Sequence, residues 1–88
     1  MLKTSYKGLT IQQTEEFRIR AAPIVSRHNQ LDKILDEQER DFTMTFEEWE
    51  ILFEEREALK EAHFALRMDI LNARMANYRE EVMGRECI

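Results

Sequence analysis

A chain of 88 residues holds one domain at most, near the size at which a single core is only marginally sufficient. Charged residues make up 35% of it, against roughly 25% in a typical globular protein, so many of its faces must stay in water. Two glycines, one proline and one cysteine exclude a breaker-rich β fold and an internal disulfide framework, and a net charge of −5 argues against direct binding of nucleic acid or an anionic membrane.

Residues 1–9 are polar and basic, contain Gly8 and show no period, which predicts a flexible or loosely docked N-terminal tail. They lack the apolar run of a signal peptide, and no stretch reaches transmembrane length. The lone Cys87 fits a reducing compartment and reads as an incidental thiol in a C-terminal tail, residues 84–88. The expected location is the cytoplasm.

Thr10 opens a Thr-x-x-Gln capping box with Gln13 and so marks a helix start. From there Phe17, Ala21, Ile24, His28, Leu31, Leu35, Gln38 and Phe42 recur by four and three, the seam of a helix over about 11–42 packed along a neighbour. Pro23 interrupts this seam without shifting its phase. It either kinks one helix or ends a short first helix and starts a second, since an internal proline costs about 3 kcal/mol.

Thr45 and Glu48 form a second capping box, with Met44 and Trp49 at hydrophobic-staple positions, so a second helix starts at 46. No breaker follows until Gly84, which predicts an end near Met83. The short link between the arms makes them antiparallel neighbours. Folding about Met44 pairs residues whose numbers sum to about 88, which sets Asp32 near Arg56 and Phe17 near Leu71.

The predicted architecture is therefore an all-α antiparallel helical hairpin spanning residues 10–83. The second arm carries one seam of Leu52, Leu59, His63, Leu66, Ile70 and Ala73, and a further apolar row of Phe64, Met68, Leu71, Met75, Tyr78 and Val82. One neighbour covers one stripe, so the second row requires another cover. A short helix folded back at Pro23 would close a three-helix bundle. A second copy of the chain would give a homodimeric four-helix or coiled-coil arrangement, the favoured alternative because small scaffolds commonly gain stability by oligomerising. The row is thus a self-association candidate.

No catalytic, cofactor or metal motif emerges. The two histidines, His28 and His63, fall on facing seams, but two ligands do not make a zinc site, and they read as satisfied, partly buried side chains. Glycine-rich phosphate loops and a nucleophile elbow are absent. Thin helices offer little concavity for a substrate, so no enzyme is expected.

The charge is concentrated instead. Between Asp36 and Glu57 ten acidic residues stand against Arg40 and Arg56, leaving −8 there and +3 over the rest of the chain. The helix dipole favours Glu47, Glu48 and Glu50 at the start of the second arm but disfavours Asp36, Glu37, Glu39 and Asp41 at the end of the first. Helix stability therefore does not account for both groups. Together with Met44, Phe46 and Trp49 they form a candidate docking tip for a protein partner with a basic surface. The expected function is that of a small interaction protein, whether adaptor, chaperone-like cofactor or inhibitor. The alternative is an acidic regulator that mimics DNA against a DNA-binding protein. Mimicry needs carboxylates spread along a face, and here they cluster.

Overall fold

The computed structural model describes residues 2–86, with side chains placed through Val82. Cys87 lies outside the described residues. Two helices, α1 (Ile11–Arg40) and α2 (Phe46–Glu86), form a hairpin, with no strand among the described residues. The hairpin is a rod of 66 × 18 × 17 Å, one helix pair thick.

Each start is set by its threonine. At Thr10 the capping box is complete: its hydroxyl accepts from the Gln13 amide at 3.1 Å, and the Gln13 side chain accepts from the Thr10 amide at 3.0 Å. At Thr45 the hydroxyl accepts from the Glu48 amide at 3.2 Å, and Glu47 and Glu48 supply the first-turn negative charge that the dipole favours.

The predicted ends need two corrections. α1 stops at Arg40 rather than near 42, because Gln38 leaves the predicted seam to brace the turn. Its side-chain carbonyl accepts from the amides of Thr43 and Met44, each at 3.0 Å, and its amide nitrogen donates to the Thr43 hydroxyl at 3.1 Å. Phe42, placed on the seam by its spacing, is exposed in this turn. α2 in turn runs through Gly84 to Glu86 instead of ending near Met83. An internal glycine costs only about 1 kcal/mol relative to alanine and does not force a stop.

α1 passes through Pro23 as one helix, so the chain does not break there, and no third helix forms among the described residues. Pro23 and the residue one turn before it, Ile19, both lie on the exposed face of α1. The carbonyl that loses its amide partner is thus open to solvent, which lowers the penalty for an internal proline.

The seams pack largely as their periodicity requires. Ala21, His28, Leu31 and Leu35 of α1 and His63, Leu66 and Ile70 of α2 are buried, while Leu52, Leu59 and Ala73 are half-buried. The antiparallel register is fixed by cross-helix bonds along the rod: Gln13 to Asn77, Arg20 to Asp69 at 2.9 Å, Arg27 to Glu55 at 2.8 Å, and Arg56 to Asp32 at 3.0 Å. The last is the pair the folding rule places together. Phe17 packs beside Ala21, Leu66 and Ile70.

The third layer comes from the N-terminal segment, read from the sequence as a flexible or loosely docked tail. Residues 2–9 lie along one groove of the hairpin as an extended strap. The Leu2 amide donates to Asn29 Oδ1 at 3.1 Å, Arg74 donates to the carbonyls of Ser5 and Lys7, and Asn77 donates to the carbonyl of Gly8 at 3.1 Å. Tyr6 and Leu9 pack on the Ala21–Leu66–Ile70 cluster. The strap turns back into α1 at Gly8, whose φ of +83° is open to glycine and strained for other residues.

Candidate interaction surfaces

Three features merit a functional reading: the outer row of α2, the acidic tip, and a histidine pair beneath the strap.

The outer row is where the sequence placed it. Phe64, Met68, Leu71, Met75 and Tyr78 are 63, 41, 40, 47 and 67% exposed, and Val82 is half-buried. The strap stops short of covering them. Its residues Lys3, Thr4 and Ser5 form one bank of a shallow groove of about 380 Å³, and Phe64, Met68, Leu71 and Arg74 line the other side. Arg67 and Lys3 give this groove a cationic rim.

Helix geometry extends the row beyond its predicted limits. Phe46 and Phe64 are separated by five whole turns at about 3.6 residues per turn, as are Phe64 and Val82. Phe53 falls on the same face. The apolar stripe therefore spans α2, interrupted in the middle by the ion pair of Glu57 and Lys60 at 3.3 Å.

At the tip, Asp36, Glu37, Glu39, Asp41, Glu47, Glu48 and Glu50 are all exposed, and Met44 is half-buried in the turn. Asp36 pairs with Arg40 at 3.8 Å, mostly in water, a pair worth little. The aromatic residues are organised among themselves. Trp49 stacks between Phe46 and Phe53 with ring centroids 6.1 and 5.1 Å apart, and the Arg56 guanidinium lies 5.3 Å from the Phe53 ring centre. Phe46 is the outermost member of this stack and is exposed. The structure thus brings the predicted carboxylates and aromatics together at one end of the rod.

The histidines sit deeper than the acidic tip. His28 and His63 are both buried, on facing helices below the strap. Thr4 Oγ1 lies 3.0 Å from His63 Nε2. Asn29 Oδ1, which only accepts, takes the Leu2 amide and His28 Nδ1 at 3.3 Å. That bond puts the proton of a neutral His28 on Nδ1 and leaves Nε2 as an acceptor, buried with no partner among the described residues. Burial, then Arg67, then His28 hold the pKa of His63 below the ordinary histidine value. Among the described residues no three His, Cys, Asp or Glu side chains converge in a way that would hold a metal ion.

The hairpin also carries a half-buried ion pair between its helices. Arg27 meets Glu55 through two nitrogens at 2.8 and 3.1 Å, and this hydrogen bonding holds the Glu55 carboxyl below the usual carboxylate range. Among the described residues no helix is long and apolar enough to cross a membrane. Comparison of the chain with protein-family models, curated proteins and solved structures finds no match.

Proposed function

We propose that this chain is a non-catalytic protein–protein interaction module, a rigid helical rod that presents two docking surfaces. The observation that carries the reading is the outer row of α2, five large apolar side chains in helical register with 40% or more of each in solvent. The chain has its own cover for one groove of the hairpin, the strap, and leaves this row open. Scattered exposed apolar residues are ordinary, but a contiguous row at helix-packing spacing matches the surface with which one helix packs against another.

The acidic tip is the second surface. Its exposed carboxylates around the Phe46–Trp49–Phe53 stack have the composition of an apolar anchor within a charged rim, complementary to a basic protein surface. The tip lies on the order of 35 Å from the centre of the row, at 1.5 Å per residue, so the two surfaces are able to act independently.

The test compares two variants of the tagged full-length chain in capture from a native lysate. One replaces Met68 and Met75 with aspartate, and the other replaces Asp36, Glu37, Glu39 and Asp41 with lysine. All six positions are exposed, so both variants are expected to retain wild-type helicity. The reading requires that at least one variant loses bound proteins. Capture unchanged in both, with helicity intact, refutes it.

A further inference from the structure

The outer row is close to a palindrome. From Leu71 the row extends to Met68 and Phe64 on one side and to Met75 and Tyr78 on the other, so aromatic, Met, Leu, Met, aromatic reads nearly the same in both directions. Residue offsets from Leu71 are three and seven toward the N-terminus, four and seven toward the C-terminus. A two-fold axis through Leu71 therefore sets Phe64 against Tyr78, Met68 against Met75, and Leu71 against itself. An isologous interface requires such self-complementarity, whereas a foreign partner does not.

We infer that the occupant of this row is a second copy of the same chain, packed antiparallel through α2 with the two-fold axis at Leu71. The inference rests on the proposal that the row is a docking surface, and it names the partner. Charge selects the orientation. A parallel pair places two tips of net −8 side by side. The antiparallel pair sends them to opposite ends, roughly 75 Å apart at 1.5 Å per residue from Leu71 to Phe46, far beyond a screening length of about 8–10 Å.

The edges of the row contribute as well. Glu61 and Arg79 are exposed and, at about 100° per residue, lie on the same flank of the row. In an antiparallel pair equal flanks face each other, so Glu61 of each copy comes near Arg79 of the other. On the opposite flank Arg67 approaches Arg74. The Arg74 guanidinium is already drawn toward the strap by the carbonyls of Ser5 and Lys7, which limits this repulsion.

The size of the patch sets the affinity class. Two aromatic rings and three aliphatic side chains, each about half exposed, amount to several hundred Å² per chain and on the order of 1,000 Å² for the pair. That is the lower bound for a specific interface, so the dimer is weak, with a Kd on the order of micromolar, and reversible.

Sedimentation equilibrium of the full chain over a range from about 1 to 300 µM, bracketing that Kd, gives the first readout. A mass rising from monomer to dimer is expected, and Leu71→Asp should abolish it without loss of helicity. Orientation is read in a C87S background by disulfide cross-linking of single-cysteine variants. Leu71→Cys should cross-link to itself, Phe64→Cys should not, and a mixture of Phe64→Cys with Tyr78→Cys should form the mixed dimer. A monomer across the whole range overturns the inference. So does a dimer in which Phe64→Cys cross-links to itself, the signature of parallel packing. Neither result touches the wider proposal, which fails only if the lysate variants capture what the wild type captures.

Discussion

Replacing Leu66 with alanine tests the assignment of core and surface on α2. Leu66 is 1% exposed and sits between α1, the partly buried Tyr6 and Leu9 of the strap, and Ile70. Three carbons are removed, about 2.4 kcal/mol of transfer free energy at roughly 0.8 kcal/mol each. The cavity left behind adds to this in proportion to its residual volume, and Leu→Ala changes in well-packed cores span about 2.7–5 kcal/mol. Here the walls include a strap held mainly by side-chain hydrogen bonds, which is able to settle inward, so the expected cost is near the lower end, about 2.5–3.5 kcal/mol. A chain of this length has only about 4–13 kcal/mol in total, so the change is large. Urea unfolding followed by far-UV circular dichroism measures it, at a fixed concentration low enough to keep the chain monomeric. The comparator is Phe64→Ala, two residues away on the outer row and 63% exposed, for which about 0.5 kcal/mol or less is expected. A Leu66→Ala cost below about 1 kcal/mol, or a larger cost for Phe64→Ala in the monomer, refutes the division of α2 into an inner seam and an outer row.

Three further outcomes follow from the strap and the caps. Gly8→Ala places a β-carbon 2.8 Å from Cγ of Arg74 at a φ of +83°. It should cost about 1–3 kcal/mol and speed amide exchange in residues 2–9 while the helices keep their dichroism; unchanged exchange would show that the strap does not depend on this turn. Thr10→Ala removes the hydroxyl that caps α1 and should lower stability by about 1 kcal/mol, with most of that restored in Thr10→Ser, both read by urea midpoints. The last outcome concerns pH. The pKa of His63 is depressed in the folded chain, by burial first and then by Arg67 on its own helix and His28 on α1. Folding thus favours the neutral ring: its stabilisation is complete above the ordinary histidine pKa of about 6.5 and declines as pH falls from there through the folded value. Unfolding midpoints at pH 7.5, 6.5 and 5.5 (the interval around that ordinary value) should decrease in order for the wild type and decrease less for His63→Gln; equal slopes would remove His63 from the account.

The helical hairpin was legible in the sequence because its causes are local or periodic. Thr10 and Thr45 announce their helices through side chains that bond amides three residues away, and the seams repeat by four and three because a helix turns every 3.6 residues. A short link between two such seams leaves the antiparallel register little freedom, which is why Asp32 and Arg56 meet where the folding rule puts them. The outer row and the acidic cluster were legible for the same reason.

Whether the outer row is covered was a tertiary matter. The strap binds chiefly through its own carbonyls, which accept from Arg74 and Asn77, and an extended segment held that way leaves no period in its own side chains. It covers the Ala21–Leu66–Ile70 cluster and stops short of Phe64 and Tyr78, a choice made by shape and not by pattern. Gln38 and Phe42 show the same limit on a smaller scale. Their spacing puts both on the seam, but bonds to the Thr43 and Met44 amides draw Gln38 into the turn and end the helix before Phe42 reaches it. Spacing along a chain determines which residues share a face, and the contacts of the folded molecule decide which of those faces remain open to water.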